Sequence, residues 1–360
     1  MNLKWIAIGT GVLLLATGAG FYGKNMGSWS AGPTDRVGQP VLQEVNLEQV
    51  GKVVIQDGEH EVTLVDAGNG LVVKQQYDFP ADSTKLNRLL LSLMNQKIDH
   101  KVTTNPKNFG DLGVLTVEEN GGKPEDFKTA RVISLFDKGG QQLFGLLVGK
   151  DRLTSGFPPR AAGGQYVRYQ GEDAVYLIPS MLTIDTEPPE WLDRAIFDLE
   201  QEKDIHTIRL RRSDRAPLVF RREKPEEKLK LEGVPDDQLN EAEVRDFAQR
   251  IVDMNLLKIA APGRSAKDLG REKVGIVEVD TFDKRRYTIK IGEREVDKEH
   301  RYVTVKADLL PGVTDEKLKR TVQVFNDRFN GRDLGIYYWV GGRILKERKD
   351  FIKKPEKKDQ

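Results

Sequence analysis

Pro80-Ala81-Asp82-Ser83 opens a run in which Leu86, Leu89, Leu90 and Leu93 recur at helical spacing, with Met94 beside them. Apolar residues three and four apart make one stripe of an amphipathic helix. Asp82 or Ser83 can accept from the free amides at its start. On both sides the period changes to two. Val50–Gln56, Glu61–Val65 and Leu71–Lys74 precede the helix as strands, with turns at Asp57-Gly58 and Asn69-Gly70. Ala130–Phe136, Leu143–Val148, Gln165–Tyr169 and Ala174–Ile178 follow it. Strands that cluster around a helix, without alternating with helices, predict an α+β domain.

The same series then recurs. Val53-Val54-Ile55 returns as Ile208-Arg209-Leu210, and the leucine stripe as Val244, Phe247, Ala248 and Ile251. Asp111-Leu112-Gly113 returns as Asp268-Leu269-Gly270. Phe136-Asp137-Lys138 returns as Phe282-Asp283-Lys284, and Tyr166-Val167 as Tyr302-Val303. The order is kept and the later loops are shorter. Two copies are too few for a solenoid, so the pattern predicts two similar domains, each a mostly antiparallel sheet plus a helix. The second copy has strands at Thr207–Leu210, Pro217–Arg221, Lys228–Leu231, Gly275–Asp280, Arg286–Ile291 and Tyr302–Val305. Its helix is Asn240–Met254. A further amphipathic helix through Leu318, Val322, Val324 and Phe325 and a last strand at Gly335–Val340 follow it. The expected division is 1–24 anchor, 25–44 flexible tether, 45–180 first repeat, 181–203 connector, 204–310 second repeat, 311–345 helix and strand, and 346–360 charged tail. In the connector, Trp191, Ala195, Ile196 and Leu199 are expected to pack between the halves.

Residues 5–22 carry no charge and lie between Lys4 and Lys24. At 1.5 Å per residue a helix of this length spans roughly 27 Å, enough for a bilayer core. Trp5 and Tyr22 suit its two interfaces. An uncleaved anchor and a signal peptide cut near Gly18-Ala19-Gly20 both remain open. Either places the bulk of the chain outside the cytoplasm; the anchor makes it a single-pass inner-membrane protein facing the periplasm.

The totals exclude several classes. With 57 Lys+Arg against 56 Asp+Glu the net charge is +1, which argues against bulk binding of nucleic acid. The chain has no cysteine, hence no disulfide, thiolate metal site or cysteine nucleophile. Gly18-Ala19-Gly20-Phe21-Tyr22-Gly23 fits a dinucleotide fingerprint only as letters, because no strand precedes it. No phosphate-binding loop or nucleophile elbow is present. His60, His100, His206 and His300 form no close ligand pair, and Asp185 with Glu187 resembles ordinary surface charge. The reading therefore names no catalytic, cofactor-binding or metal-ligating residue and expects no enzyme. The repeated Asp-Leu-Gly reads as a turn: Asp on local backbone, Leu in the core, Gly at positive φ. Candidate partner contacts are Phe157 and Arg160 in an inter-strand loop, and Tyr337, Tyr338 and Trp339, which form either an exposed recognition patch or a strand whose rings pack on the sheet.

The series Val53-Val54-Ile55, the 80–94 helix, Asp111-Leu112-Gly113, Leu147-Val148-Gly149-Lys150, Tyr166-Val167-Arg168, Val175-Tyr176-Leu177 and Trp191-Leu192-Asp193-Arg194 resembles domain-of-unknown-function family 4340 over roughly residues 45–310. Members more often show Gly-Leu followed by Pro where this chain has Asp111-Leu112-Gly113-Val114. The resemblance carries over no catalytic residue. It implies a membrane-anchored extracytoplasmic accessory subunit or scaffold that binds an ABC-type transport complex. A module for envelope glycan or polymer is the alternative, and an envelope hydrolase with carboxylates in a cleft is a third reading.

Overall fold

The computed structural model describes residues 36–354, apart from 44, 69, 154–160, 297 and 298. The anchor at 5–22, the Gly18-Ala19-Gly20 stretch, Phe157 and Arg160 lie outside the described residues. Among the described residues no helix is long and apolar enough to cross a membrane. The chain divides into two units, one ending at Asp193 and the other beginning at Arg194. Both are α+β.

The first unit contains β1 (Val50–Gln56), β2 (Glu61–Asp66), β3 (Leu71–Val73), β4 (Phe79–Pro80), α1 (Ser83–Asn95), β5 (His100–Thr103), α2 (Phe109–Leu112), β6 (Arg131–Asp137), β7 (Gln142–Leu153), β8 (Ala161–Tyr169) and β9 (Val175–Ile178). Its nine strands lie in the order β4-β3-β2-β1-β6-β7-β8-β9-β5. The second unit contains β10 (Ile205–Arg212), β11 (Arg215–Arg221), β12 (Lys230–Leu231), α3 (Glu241–Val252), β13 (Lys258–Ile259), β14 (Val274–Thr281), β15 (Arg285–Gly292), β16 (His300–Leu309), α4 (Glu316–Phe329), β17 (Leu334–Tyr337) and α5 (Tyr338–Ile344). Its eight strands run β12-β11-β10-β14-β15-β16-β17-β13. Without β4 the two orders are the same, strand for strand. The pairing irregularity between Val50 and Lys52 also recurs between Ile205 and Thr207.

Local chemistry explains the shared helix. Asp82 accepts from the amide of Lys85, and Asn240 from that of Glu243, so each helix starts on a capping side chain. Leu86, Leu89, Leu90 and Leu93 are buried on α1; Val244, Phe247, Ala248 and Ile251 are buried on α3. Each large apolar side chain removed from water contributes roughly 2 kcal/mol. Phe247 meets Phe220 of β11 at 5.1 Å between ring centroids, and Phe351 completes the trio. Strand alternation puts Ile208, Phe220 and Val279 in one inner row, with Val53, Ile55, Ile133 and Leu135 their equivalents.

The outer rows differ. In the first unit, Val132 and Leu147 lie opposite each other and cluster with Ala130. Further along, Val175 clusters with Phe109 and Val114. Residues 109–130 thus cover this face. In the second unit only 271–273 separate Gly270 from β14. Its outer row carries Arg209 opposite Glu278, with Asp280 held by both Arg209 and Arg286.

The glycines of the two Asp-Leu-Gly turns do the same work, whereas only Asp268 bonds local backbone, at the Ser265 amide, and only Leu269 is fully buried, Leu112 being half-buried. Gly113 and Gly270 sit at φ +71° and +64°, where a side chain is strained. Each lies against a glycine of the neighbouring strand. A Cβ on Gly149 would come within 2.5 Å of the Leu112 carbonyl oxygen, and one on Gly292 within 2.8 Å of that of Gly270. Asp333-Leu334-Gly335 is not a third turn: Leu334 and Gly335 lie in β17, and Arg271 pairs with Asp333.

Several expectations change. The expected strand Gly335–Val340 stops at Tyr337 and becomes α5; the amide of Tyr338, donating to the Glu299 carbonyl, makes the last bond in register with β16. β17 is an inner strand of the second sheet, between β16 and β13. β4, β5 and β13 were not expected. On α4 it is Phe325 and Phe329 that are buried, whereas Val324 is exposed. In the connector, Trp191 is buried with its indole N–H donating to the Asp185 carbonyl, Ile196 and Leu199 are buried, and Ala195 is exposed.

Candidate functional site

Tyr337, Tyr338 and Trp339 occupy the junction of β17 and α5. β17 is fixed on one side by β16, where His300 lies opposite Tyr337, and on the other by β13. The strand-to-helix transition is pinned twice. Tyr338 donates its amide to the Glu299 carbonyl at 2.9 Å, and Arg301 Nε donates to the Tyr338 carbonyl at 3.2 Å. The Arg301 stem crosses Gly341, where a Cβ would meet its Cδ at 2.5 Å, so this turn of α5 requires glycine.

All three rings face solvent: Tyr337 is 48% exposed, Tyr338 41% and Trp339 39%. Of the two readings, exposure and not packing on the sheet is the outcome. Tyr337 and Trp339 stack with centroids 5.8 Å apart and planes 22° from parallel. The Arg250 guanidinium lies 5.3 Å from the Trp339 centroid and that of Arg343 lies 5.9 Å away. Exposed cation–π contacts of this kind are worth roughly 0.5–1 kcal/mol each. Asp246 holds Arg250 at 3.2 Å and stands 4.0 Å from Arg343. The rings and both cations are thus set in place by three elements, α3, β17 and α5.

Sequence reasoning found the aromatics and missed Arg250, Arg343 and Asp246. The only available signal was Asp246 four residues before Arg250 on a helix, a common ion-pair spacing.

The titratable groups weighed above have ordinary partners. His60 contacts Glu187 at 3.0 Å, and Asp57 accepts from the Thr186 hydroxyl at 2.5 Å. Asp185 pairs with Lys85, His100 with Asp99, and His206 meets the edge of Phe282. Among the described residues no three histidine or carboxylate side chains are grouped to hold a metal ion. In the second unit Asp198 accepts from Tyr287 at 2.7 Å and from Arg285 at 2.6 Å. Burial raises the Tyr287 hydroxyl well above its ordinary value, and the bond to Asp198 adds to this. Burial alone would raise the Asp280 carboxyl; the bonds from Arg286 and Arg209 outweigh it and hold it below the usual range.

Fold and surface define a tandem α+β protein, two topologically equivalent sheets with one aromatic–arginine patch on the second. The family model described as Domain of unknown function (DUF4340) matches residues 72–273, more than half of the sequence, from β3 of the first sheet to the Asp-Leu-Gly turn of the second. The chain belongs to that family. No curated protein and no solved structure matches it.

Proposed function

We propose that this chain is a non-enzymatic accessory protein of the cell envelope. It is anchored in the inner membrane by residues 5–22 and binds a subunit of an ABC-type transport complex through the Tyr337-Tyr338-Trp339 patch. The observation that carries this reading is the exposure of three adjacent aromatics with Arg250 and Arg343 stacked beside them. Trp, Tyr and Arg are the residues that dominate binding energy at protein interfaces. Here their backbone is pinned, so little ordering entropy is lost on docking. An anchor would raise the local concentration of the patch near a membrane partner. The transport complex is what the family resemblance implies.

One observation favours envelope glycan as a second reading: the exposed Tyr338 ring has no ring or cation contact among the described residues.

The test places a photo-crosslinking residue at Tyr338 of the full chain in cells, with Val324 on α4 as control. Crosslinks from 338 to a transport-complex subunit, absent from 324 and reduced at least tenfold by Trp339→Ala, support the reading. Crosslinks only to wall polymer transfer it to the glycan alternative. Equal crosslinking from both positions sinks both.

A further inference from the structure

A second feature of the Arg194–Gln360 unit lies apart from the aromatics. The turn between β10 and β11 and the segment after α5 enclose a cavity of ≈ 230 Å³. Leu210, Ala216 and Leu218 supply its apolar wall; Arg212, Arg215, Lys346, Arg348 and Lys349 supply cations. Four of the five cations contact a carboxylate. Arg212 faces Glu293 at 3.5 Å, Lys346 meets Glu243, and Arg215 and Lys349 share Glu347, with Asp214 also 3.7 Å from Arg215, so these four cations meet four carboxylates. Arg348 meets none among the described residues, where its guanidinium donates only to carbonyl oxygens, of Glu232 at 2.6 Å and Gly233 at 3.3 Å. Two of its five N–H donors are thereby engaged and its charge is left unmatched.

An apolar wall beside one surplus positive charge selects an amphiphilic monoanion. A bare phosphate would leave the leucines wet, and an uncharged hydrocarbon would leave the donors unused. At about 30 Å³ per water-sized group the cavity takes roughly seven or eight heavy atoms. A peptide strand is a poor occupant. Pro217 takes a donor from β11, the strand on which such a peptide would have to pair. We propose that this cavity is a binding site for a short aliphatic carboxylate of about six carbons, its chain on Leu210 and Leu218 and its carboxylate at Arg348. This site is independent of the aromatic patch.

The probe is hexanoate carrying a terminal diazirine, applied to the full chain in neutral-lipid nanodiscs, with the matching hexanol diazirine for comparison. The expected result is labelling of peptides containing residues 210–218 or 346–349, at least tenfold stronger with the carboxylate than with the alcohol. Excess hexanoate should suppress it and acetate should not. Ala216→Trp fills the mouth at an exposed position, and Lys349→Glu reverses a charge at a side chain 76% exposed. Neither disturbs a buried group, and each should reduce labelling about tenfold with the circular dichroism unchanged. Equal labelling by the alcohol, equal suppression by acetate, or full labelling in both variants would overturn the assignment.

Discussion

The outer face of the first sheet is covered around Val132 and Leu147, whereas that of the second is open at the equivalent Ile276 and Lys290 and covered at Tyr302 by Leu269 and Ala260, and the side chains follow that difference more closely than they follow each other. Where residues 109–130 overlie the first sheet, the outer row holds Val132, Leu147 and Val175. Where only 271–273 replace the 114–130 stretch, the positions equivalent to Val132 and Leu147 are the half-buried Ile276 and the exposed Lys290, and nearby outer positions carry Arg209, Glu278, Asp280 and Arg286. The inner rows, which both lie under a capped helix, stay apolar in both units. Topology is therefore shared through the inner row and the turns, and outer chemistry is set locally by what covers it. Arg168 makes the same point from the other side. It is buried beneath the covering segment, with Nε donating to the Val114 carbonyl at 3.0 Å and its guanidinium 4.4 Å from the Phe109 centroid.

The comparison can be pressed hardest at the inner row. Leu93→Ala on α1 and Ile251→Ala on α3 remove equivalent fully buried side chains, and each should cost about 2–5 kcal/mol by denaturant unfolding. A cost under 1 kcal/mol in one alone would break the equivalence of the two helices.

The paired turns come next. Gly149→Ala and Gly292→Ala each drive a Cβ into backbone and should lower stability by about 1–3 kcal/mol. The first should cost more, since its contact is 2.5 Å against 2.8 Å and the Val114 side chain also stands 2.6 Å away. A reversed order in calorimetry would show that the shorter second loop yields less.

The outer rows should separate the units. Asp280→Asn leaves Arg209 and Arg286 facing a neutral amide, with an expected loss of about 1–2 kcal/mol, discounted because both arginines are partly exposed. Replacing all three together with apolar side chains should restore stability at the expense of solubility, as judged by light scattering.

The smallest effect is in acid. Asp198, Asp280 and Asp283 of the second unit all titrate below the usual carboxylate range, because hydrogen bonds outweigh the burial that would raise them, from Tyr287 and then Arg285 at Asp198 and chiefly from arginines at the other two. A depressed folded pKa gives stability that is present above the unfolded value and lost as pH falls through the folded one. The melting temperature should fall between about pH 5 and pH 2, and less steeply in Asp280→Asn. An unchanged slope in that variant would remove Asp280 from the explanation.

Much of this was legible in the sequence. Both helices, the Asp-Leu-Gly turns and the long strands announce themselves because an inner row repeats at period two and a helix stripe at 3.6. β5 escaped because His100, Lys101 and Val102 are exposed and carry no alternation, and β13 because it has two residues. The boundary at Tyr338 was illegible because Val340 continues an apolar run, and the helix begins where the last bond in register with β16, from the Tyr338 amide to the Glu299 carbonyl, has been made. The aromatics of the candidate surface could be picked out, but not the arginines that hold them. Arg250 and Arg343 are far apart in the chain, and only the packing of α3 beside α5 brings both to Trp339.

The shared strand order also dictates when each unit can become a unit. The central pairing joins β1 to β6 and β10 to β14, with Val53 opposite Leu135 and Ile208 opposite Val279. Everything between, helix and far-edge strand included, must be synthesised before the middle of the sheet can close. Pairings so distant in sequence carry a loop-closure cost and make folding slow. Until then each half exposes unpaired β1–β2 or β10–β11 hairpin edges, and a chaperone that shields such edges would act there, before Leu135 and before Val279 emerge.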